Sequence, residues 1–175
     1  MRKIVFYGAV SLDGYLTDEK DGLQWLFDTD VAGKSTYEAF EENVDTLVMG
    51  RTTYEASKKM VDGGSFYPGK EKLIFSHTLQ NGDIEETFVS GDVPTIMSEY
   101  QKKPGQMIWI VGGGGILQPL LEAEQVDELW LQIAPVLLGS GKRLFEKGNY
   151  RYRFDLVEVT QMGELTELHL RRKNK

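Results

Sequence analysis

The 175-residue sequence contains no cysteine. That excludes disulfides, iron–sulfur clusters, thiolate metal sites and a thiol nucleophile, and it fits a reducing, cytoplasmic setting. Histidine occurs only at His77 and His169. The two are too far apart for an HExxH zinc site, and no metal is expected. His169 reads as a surface or packing residue in the last strand, and no local motif sets a nucleophile beside His77. No apolar run approaches the roughly 18–20 residues needed to span a bilayer. The chain enters a strand within three residues, so neither a leader peptide nor a membrane partner is expected. Basic charge is scarce as well: 20 Lys and Arg against 27 Asp and Glu give a net charge of -7, which argues against a nucleic-acid partner. The one basic run, Arg171-Arg172-Lys173-Asn174-Lys175, reads as a solvated end.

Familiar signatures are missing too. After Gly112 and Gly114, the third position of a GxGxxG fingerprint is Leu117. Gly33-Lys34-Ser35 could end a Walker loop, but its opening position is Asp28. No GxSxG elbow surrounds Ser65 or Ser140.

What is present is an ordinary globular composition, 41% hydrophobic and 27% charged, in a length that suits one domain over 1–175. Strands are expected at 3–10, 46–50, 72–76, 86–90, 107–111 and 127–138, the last bent at Pro135. A hairpin of 153–161 and 164–172 follows, turning at Met162-Gly163. Helices are expected at 35–43, with Ser35 as N-cap and Glu38 three residues on, and at 52–61, 94–103 and 115–123, with Pro119 near the first turn of the last. Gly63-Gly64-Ser65 and Pro68-Gly69 mark a loop. Residues 18–30 read as a loop, yet Leu23, Trp25, Leu26 and Phe27 give it the apolar weight of a flap or pocket wall. Strand–helix alternation followed by consecutive strands predicts an α/β fold with a mostly parallel central sheet, an antiparallel C-terminal edge hairpin and helices on both faces.

Two runs share one design. Thr46-Leu47-Val48-Met49-Gly50-Arg51-Thr52-Thr53 and Met107-Ile108-Trp109-Ile110-Val111-Gly112-Gly113-Gly114-Gly115-Ile116 each drive an apolar strand into glycine and then into a helix. Such a junction leaves helix-start N–H groups free for an anion, and glycine lets a ligand approach the backbone. Singly, Gly50 or Gly112 could be a tight turn, Arg51 a solvated residue, and Thr52 or Thr53 an N-cap. As a pair, with Arg51 as a further fixed cation, they read as a site for a ligand with several phosphates, such as a dinucleotide.

Ser11-Leu12-Asp13-Gly14, Met49-Gly50-Arg51-Thr52-Thr53-Tyr54-Glu55, Phe75-Ser76-His77-Thr78-Leu79, Val111-Gly112-Gly113-Gly114 and Pro135-Val136-Leu137-Leu138-Gly139-Ser140-Gly141 occur in this order. The ordered set resembles the dihydrofolate reductase-like superfamily, and within it the reductase domain of the bifunctional riboflavin-biosynthesis deaminase/reductase and its stand-alone bacterial relatives. The resemblance implies a three-layer dihydrofolate reductase-like fold and an NADPH-dependent reductase of small nitrogen heterocycles. It places Gly50, Arg51, Thr52 and Thr53 on the cofactor's phosphates, Ser76 and His77 beside the adenosine ribose phosphate, and Val111, Gly112, Gly113, Gly114, Gly115 and Ile116 on the pyrophosphate from the other side. It also puts Asp13 beside the nicotinamide, either orienting substrate or relaying a proton, or else closing an Asx turn with Gly14. Trp25 resembles a substrate-loop tryptophan. Asp30, with Asp28 as an equal rival, falls near the family's substrate-binding acid; both could equally be surface acids. Arg143, in the stretch after Gly141, either holds a substrate phosphate or lies in a surface turn with Leu144 and Phe145 tucked inward. A homodimer is expected, and a third reading is a mainly structural homodimer with the apolar face of 127–138 at its interface. The alternative function is a nucleotide-binding or regulatory module that keeps the cleft without efficient turnover.

Overall fold

The computed structural model describes residues 1–62, 64–78 and 82–173. Gly63 of the expected loop, Leu79 of the strand-end motif, and Asn174 and Lys175 of the basic tail lie outside the described residues. The elements run β1 Ile4–Ser11, β2 Tyr15–Thr17, α1 Gln24–Phe27, α2 Tyr37–Glu41, β3 Val44–Gly50, α3 Arg51–Met60, β4 Glu71–Phe75, β5 Glu86–Val89, α4 Val93–Lys102, β6 Met107–Gly112, α5 Gly114–Glu122, β7 Glu128–Ala134, β8 Lys142–Arg143, β9 Phe154–Met162 and β10 Leu165–Arg172.

Eight strands form one sheet in the order β5-β4-β3-β6-β1-β7-β10-β9. Six of them are parallel, and β10 and β9 add the antiparallel edge. The parallel strands are buried on both faces, which is why they read as continuous apolar runs rather than alternating ones. On one face Ile4, Phe6, Val48 and Ile110 pack under Met97 and Tyr100 of α4 and Ile116, Leu117, Leu120 and Leu121 of α5. On the other Val5, Tyr7, Leu47, Met49 and Trp109 pack under Phe40 of α2 and Tyr54 of α3. The expected three layers are therefore present.

One irregularity positions the site. β1 and β6 pair only from Ile4↔Ile108 to Phe6↔Ile110. Beyond that β1 stays with β7 as far as Ser11↔Ala134, while β6 stays with β3 to Met49↔Gly112. The sheet thus parts between β1 and β6 at its carboxyl edge, the side on which open parallel sheets bind ligands.

Several expectations are corrected. Pro119 is the sixth residue of α5, not near its first turn; it withholds one N–H from the helix ladder. The long strand ends at Ala134, because Pro135 cannot donate to the ladder. That strand is also internal, held by β1 and β10, with Leu129, Leu131 and Ala134 buried. It has no free apolar face for a homodimer interface. The exposed apolar side chains of the sheet edge, Leu156, Val157 and Val159, are on β9 instead. Thr36, not Ser35, is the N-cap residue of α2, although Ser35 Oγ still accepts from Tyr37 N at 3.0 Å. The 18–30 loop contains one helical turn, and β2 and β8 form an unexpected two-stranded flap. The hairpin turns on Gly163 and Glu164, with Gly163 at φ 58 as a two-residue turn of the II′ kind demands. Among the described residues no helix is long and apolar enough to cross a membrane, and no group of three or more His, Cys, Asp or Glu could hold a metal ion.

Candidate functional site

The two glycine junctions meet. Gly50 is the N-cap residue of α3 and Gly113 that of α5, and neither supplies a side-chain cap. At α5 the Gly114 and Gly115 N–H groups are thus left for a ligand, while Ile116 N–H already donates to Gly113 O at 2.9 Å. Gly113 sits at φ 92, a conformation open to glycine at little cost. A Cβ on Gly112 would lie 3.6 Å from Thr53 Cγ2, and one on Gly50 would lie 4.0 Å from Ile116 Cγ1. The α3 and α5 starts therefore adjoin as two walls of one cleft. A Cβ on Gly115 would meet nothing within 4 Å, so this residue faces open space.

That space continues into a cavity of about 160 Å³ lined by Phe75, Ser76, His77, Val89, Ser90, Gly91, Val93, Gly115 and Ile116. Ser76, His77, Gly115 and Ile116, separated widely in sequence, share this wall. Gly50 pairs with Phe75, which places Arg51 next to the Ser76–His77 strand end. Arg51 is half exposed and pairs with Glu55 at 3.2 Å. An exposed i,i+4 pair is worth about 0.3–0.5 kcal/mol, so Arg51 can exchange it for a phosphate. His77 Nδ1 lies 2.9 Å from Ser90 Oγ, a hydroxyl neighbour the sequence did not reveal. His169 packs: it stacks on Trp130 at 3.8 Å and bonds Glu128.

The backbone of Arg143 borders the α5 start. Its carbonyl oxygen would lie 3.6 Å from a Cβ on Gly114, beside the Glu146 side chain. Its guanidinium lies over the Tyr15 ring at 4.7 Å and donates to Tyr15 Oη at 3.0 Å. Leu144 is buried as expected of a turn, while Phe145 is partly exposed.

The expected acids are placed differently. Asp13 accepts from Ser11 Oγ at 2.6 Å, Leu138 N at 3.1 Å and Gly139 N at 2.7 Å. The Ser11 hydrogen bond, reinforced by those amides, holds its carboxyl at about 2. It thus ties the loop after β1 to the loop after β7. Asp28 is exposed and accepts from Gln24 Nε2 at 2.7 Å. Asp30 is exposed, with Oδ1 accepting from Ala32 N at 2.8 Å and its backbone N–H donating to Glu164. Neither carboxylate lies in the cleft wall that the glycines form. Trp25 is buried against Ala134, Met162 and Leu165 at the hairpin end, with Nε1 unpartnered.

Sequence reasoning missed one cluster entirely. Tyr7, Thr36, Gln132 and Glu167 form a closed ring of hydrogen bonds beside the opening of the sheet. Thr36 Oγ1 donates to Glu167 Oε2 at 2.7 Å, and Gln132 Nε2 donates to Glu167 Oε2 at 3.0 Å and to Tyr7 Oη at 2.6 Å. With the Thr36 proton spent on Glu167, Tyr7 donates to Thr36 Oγ1 at 3.0 Å.

The parted parallel sheet, helices on both faces and cleft at the carboxyl edge give the chain a dihydrofolate reductase-like α/β fold. A solved dihydrofolate reductase from Enterococcus faecalis, complexed with NADP(H) and RAB-propyl, superposes with a TM-score of 0.68 over 98% of this chain and 97% of its own, at 15% identity. Within that class the chain belongs to the RibD C-terminal domain family, whose model matches residues 2–168. A crystal structure from Shewanella sp. PV-4, provisionally assigned to riboflavin biosynthesis, superposes with a TM-score of 0.85 at 28% identity, over 99% of this chain and all (100%) of that one. The uncharacterized protein YwjB of Bacillus subtilis (strain 168) is 30% identical over 171 residues, covering 96% of this chain and 97% of its own length.

Proposed function

We propose that this protein is an NADPH-dependent oxidoreductase that reduces a C=N or C=O carbon of a small nitrogen heterocycle, of the aminopyrimidine kind used in riboflavin synthesis or the pterin kind. The observation that carries the proposal is the pair of adjoining, uncapped glycine helix starts that open, through Gly115, into the Ser76–His77 cavity. The fit is good: free N–H groups and the Thr52 and Thr53 hydroxyls suit the pyrophosphate, and Arg51 suits the 2′-phosphate. When bound, the nicotinamide supplies the hydride. The residues of this chain do the rest. Val111 to Ile116 and Gly50 to Thr53 hold the phosphates, and the Tyr15–Arg143 flap with its neighbour Glu146 borders the α5 start. Rate then comes chiefly from placement and exclusion of water.

The module reading keeps one observation in its favour: Asp13 is locked as an anion, while Asp28 and Asp30 are at the surface. Titration calorimetry with NADPH and NADH, followed by NADPH oxidation with a panel of pterins, aminopyrimidine ribosides and simple carbonyls, separates the two. NADPH preference with turnover supports the oxidoreductase; binding without turnover across the panel supports the module; no binding of either nucleotide defeats both. A cytoplasmic homodimer completes the proposal, and light scattering at micromolar concentration tests the dimer.

A further inference from the structure

Glu167 is 1% exposed, yet no Lys, Arg or His pairs with it among the described residues. A buried carboxylate without a cation is costly. Its Oε2 already takes hydrogen bonds from Thr36 and Gln132. Its Oε1 takes none from any described residue, although a carboxylate oxygen offers two lone pairs. The ring it closes does pin the start of α2 to the sheet. An amide would pin it equally well, so the pin alone does not explain a carboxyl group at this position.

Position supplies an explanation. Glu167 is level with Gln132 on β7, and Gln132 with Ala9 on β1. Ala9 belongs to the part of β1 that β6 has left, so Glu167 stands two strands from the opening of the sheet. It shares its face of the sheet with an aromatic group: Tyr7 and Tyr37 at 6.0 Å, Tyr37 and Trp109 at 6.1 Å, Tyr67 and Trp109 at 5.2 Å. Aromatic faces beside a buried acceptor suit a planar ring that carries N–H donors. Thr36 covers the carboxylate on the α2 side. It follows an exposed run, 31–35, that no hydrogen bond ties to the sheet among the described residues.

We propose that Glu167, whose Oε1 takes no hydrogen bond from any described residue, is the acid that orients the substrate in this site by accepting the N–H edge of an amino-substituted heterocycle, entering as Thr36 and the 31–35 run move aside. The proposal deepens the reductase reading and rests on it. It assigns the orienting role to strand β10 rather than to Asp28 or Asp30.

Glu167→Gln is the informative variant. Its amide oxygen can replace Oε2 in the ring, while its NH2 puts donors where Oε1 had lone pairs. The pin survives and the polarity of the free position reverses. The probe is 2,4-diaminopyrimidine, titrated with and without saturating NADPH. The expected result is unchanged NADPH affinity, a melting point close to wild type, and probe binding weakened about 10- to 100-fold, the range for a lost hydrogen bond to a charged group. A second arm needs no variant: wild type binds 2,4-dimethoxypyrimidine, which has no N–H donors, at least about tenfold more weakly than the diamino compound. Equal binding of the probe to both proteins, equal binding of both pyrimidines, or no probe binding by wild type overturns the proposal. Loss of NADPH binding by wild type defeats the reductase reading instead, and the probe titrated alone still judges Glu167.

Discussion

Gly115→Ala separates the cofactor reading of the second junction from a purely structural one, because the two predict different pairs of changes. Gly115 is the second residue of α5 and has no left-handed φ. A methyl group added there meets nothing within 4 Å. Replacing glycine by alanine at a compatible helical position stabilises by about 0.4–1 kcal/mol, largely by restricting the unfolded chain. For a chain of this length that raises the melting point by about 1–4 °C. The same methyl projects into the space where the cleft meets the Ser76–His77 cavity, so it stands between the ligand and the Gly114 and Gly115 N–H groups. Losing even one charge-assisted backbone hydrogen bond costs about 1.5–3 kcal/mol, or about 10- to 100-fold in affinity. Stability and NADPH affinity therefore move in opposite directions. Differential scanning calorimetry and nucleotide titration on one preparation read both. A Gly115→Ala protein that is more stable and binds NADPH within twofold of wild type would refute the idea that the α5 start receives the pyrophosphate. Gly113→Ala is the contrasting control: with φ at 92 the side chain is strained wherever the space is, so stability and binding fall together.

Arg51→Ala should weaken NADPH about 5- to 50-fold and NADH less than twofold, since a phosphate contact worth about 1.5–3 kcal/mol replaces an exposed Glu55 pair worth about 0.5; equal losses for both nucleotides would remove Arg51 from the 2′-phosphate. Glu146→Gln takes a carboxylate away from the Gly114 junction and should tighten NADPH about 2- to 4-fold at low salt, the gain shrinking as salt is raised; unchanged affinity at low salt means that Glu146 turns away when ligand binds. Burial pushes the Glu128 carboxyl up, but Lys3, His169 and Arg171 outweigh it and hold it at about 2. Its folded pKa is depressed, so its stabilisation is complete above about pH 4.5 and is lost as pH falls toward 2; Glu128→Gln should cost about 1–3 kcal/mol at pH 7 in a urea titration, with the gap to wild type closing across that window. Asp13→Asn follows the same sign from about pH 4 down to 2, where its own carboxyl titrates, and a gap that widens toward low pH would contradict the Leu138–Gly139 clamp.

The two glycine junctions were legible because their signals are local. A buried parallel strand that stops on glycine and restarts as a helix carries the whole junction within about ten consecutive residues, and both junctions sit where the sequence placed them. Even the meeting of Ser76–His77 with Gly115–Ile116 follows once the strands are parallel, since all their carboxyl ends lie on one edge. The Glu167 ring depends on distant contacts. Glu167 lies in Leu165-Thr166-Glu167-Leu168-His169, whose alternation reads as a half-solvated edge strand. In the fold β9 takes the edge, β10 becomes internal, and Thr36 from 131 residues away caps that face. The count from Trp25 to Asp30 leads to an exposed carboxylate for a related reason. Only one helical turn, α1, intervenes, and left-handed residues at Ala32 and Gly33 follow before α2 begins. The acid that a longer helix there would aim inward is turned out toward the hairpin. With that position at the surface, the proposal turns to the strands, where Glu167 is the buried carboxyl group on that face with no cationic partner among the described residues.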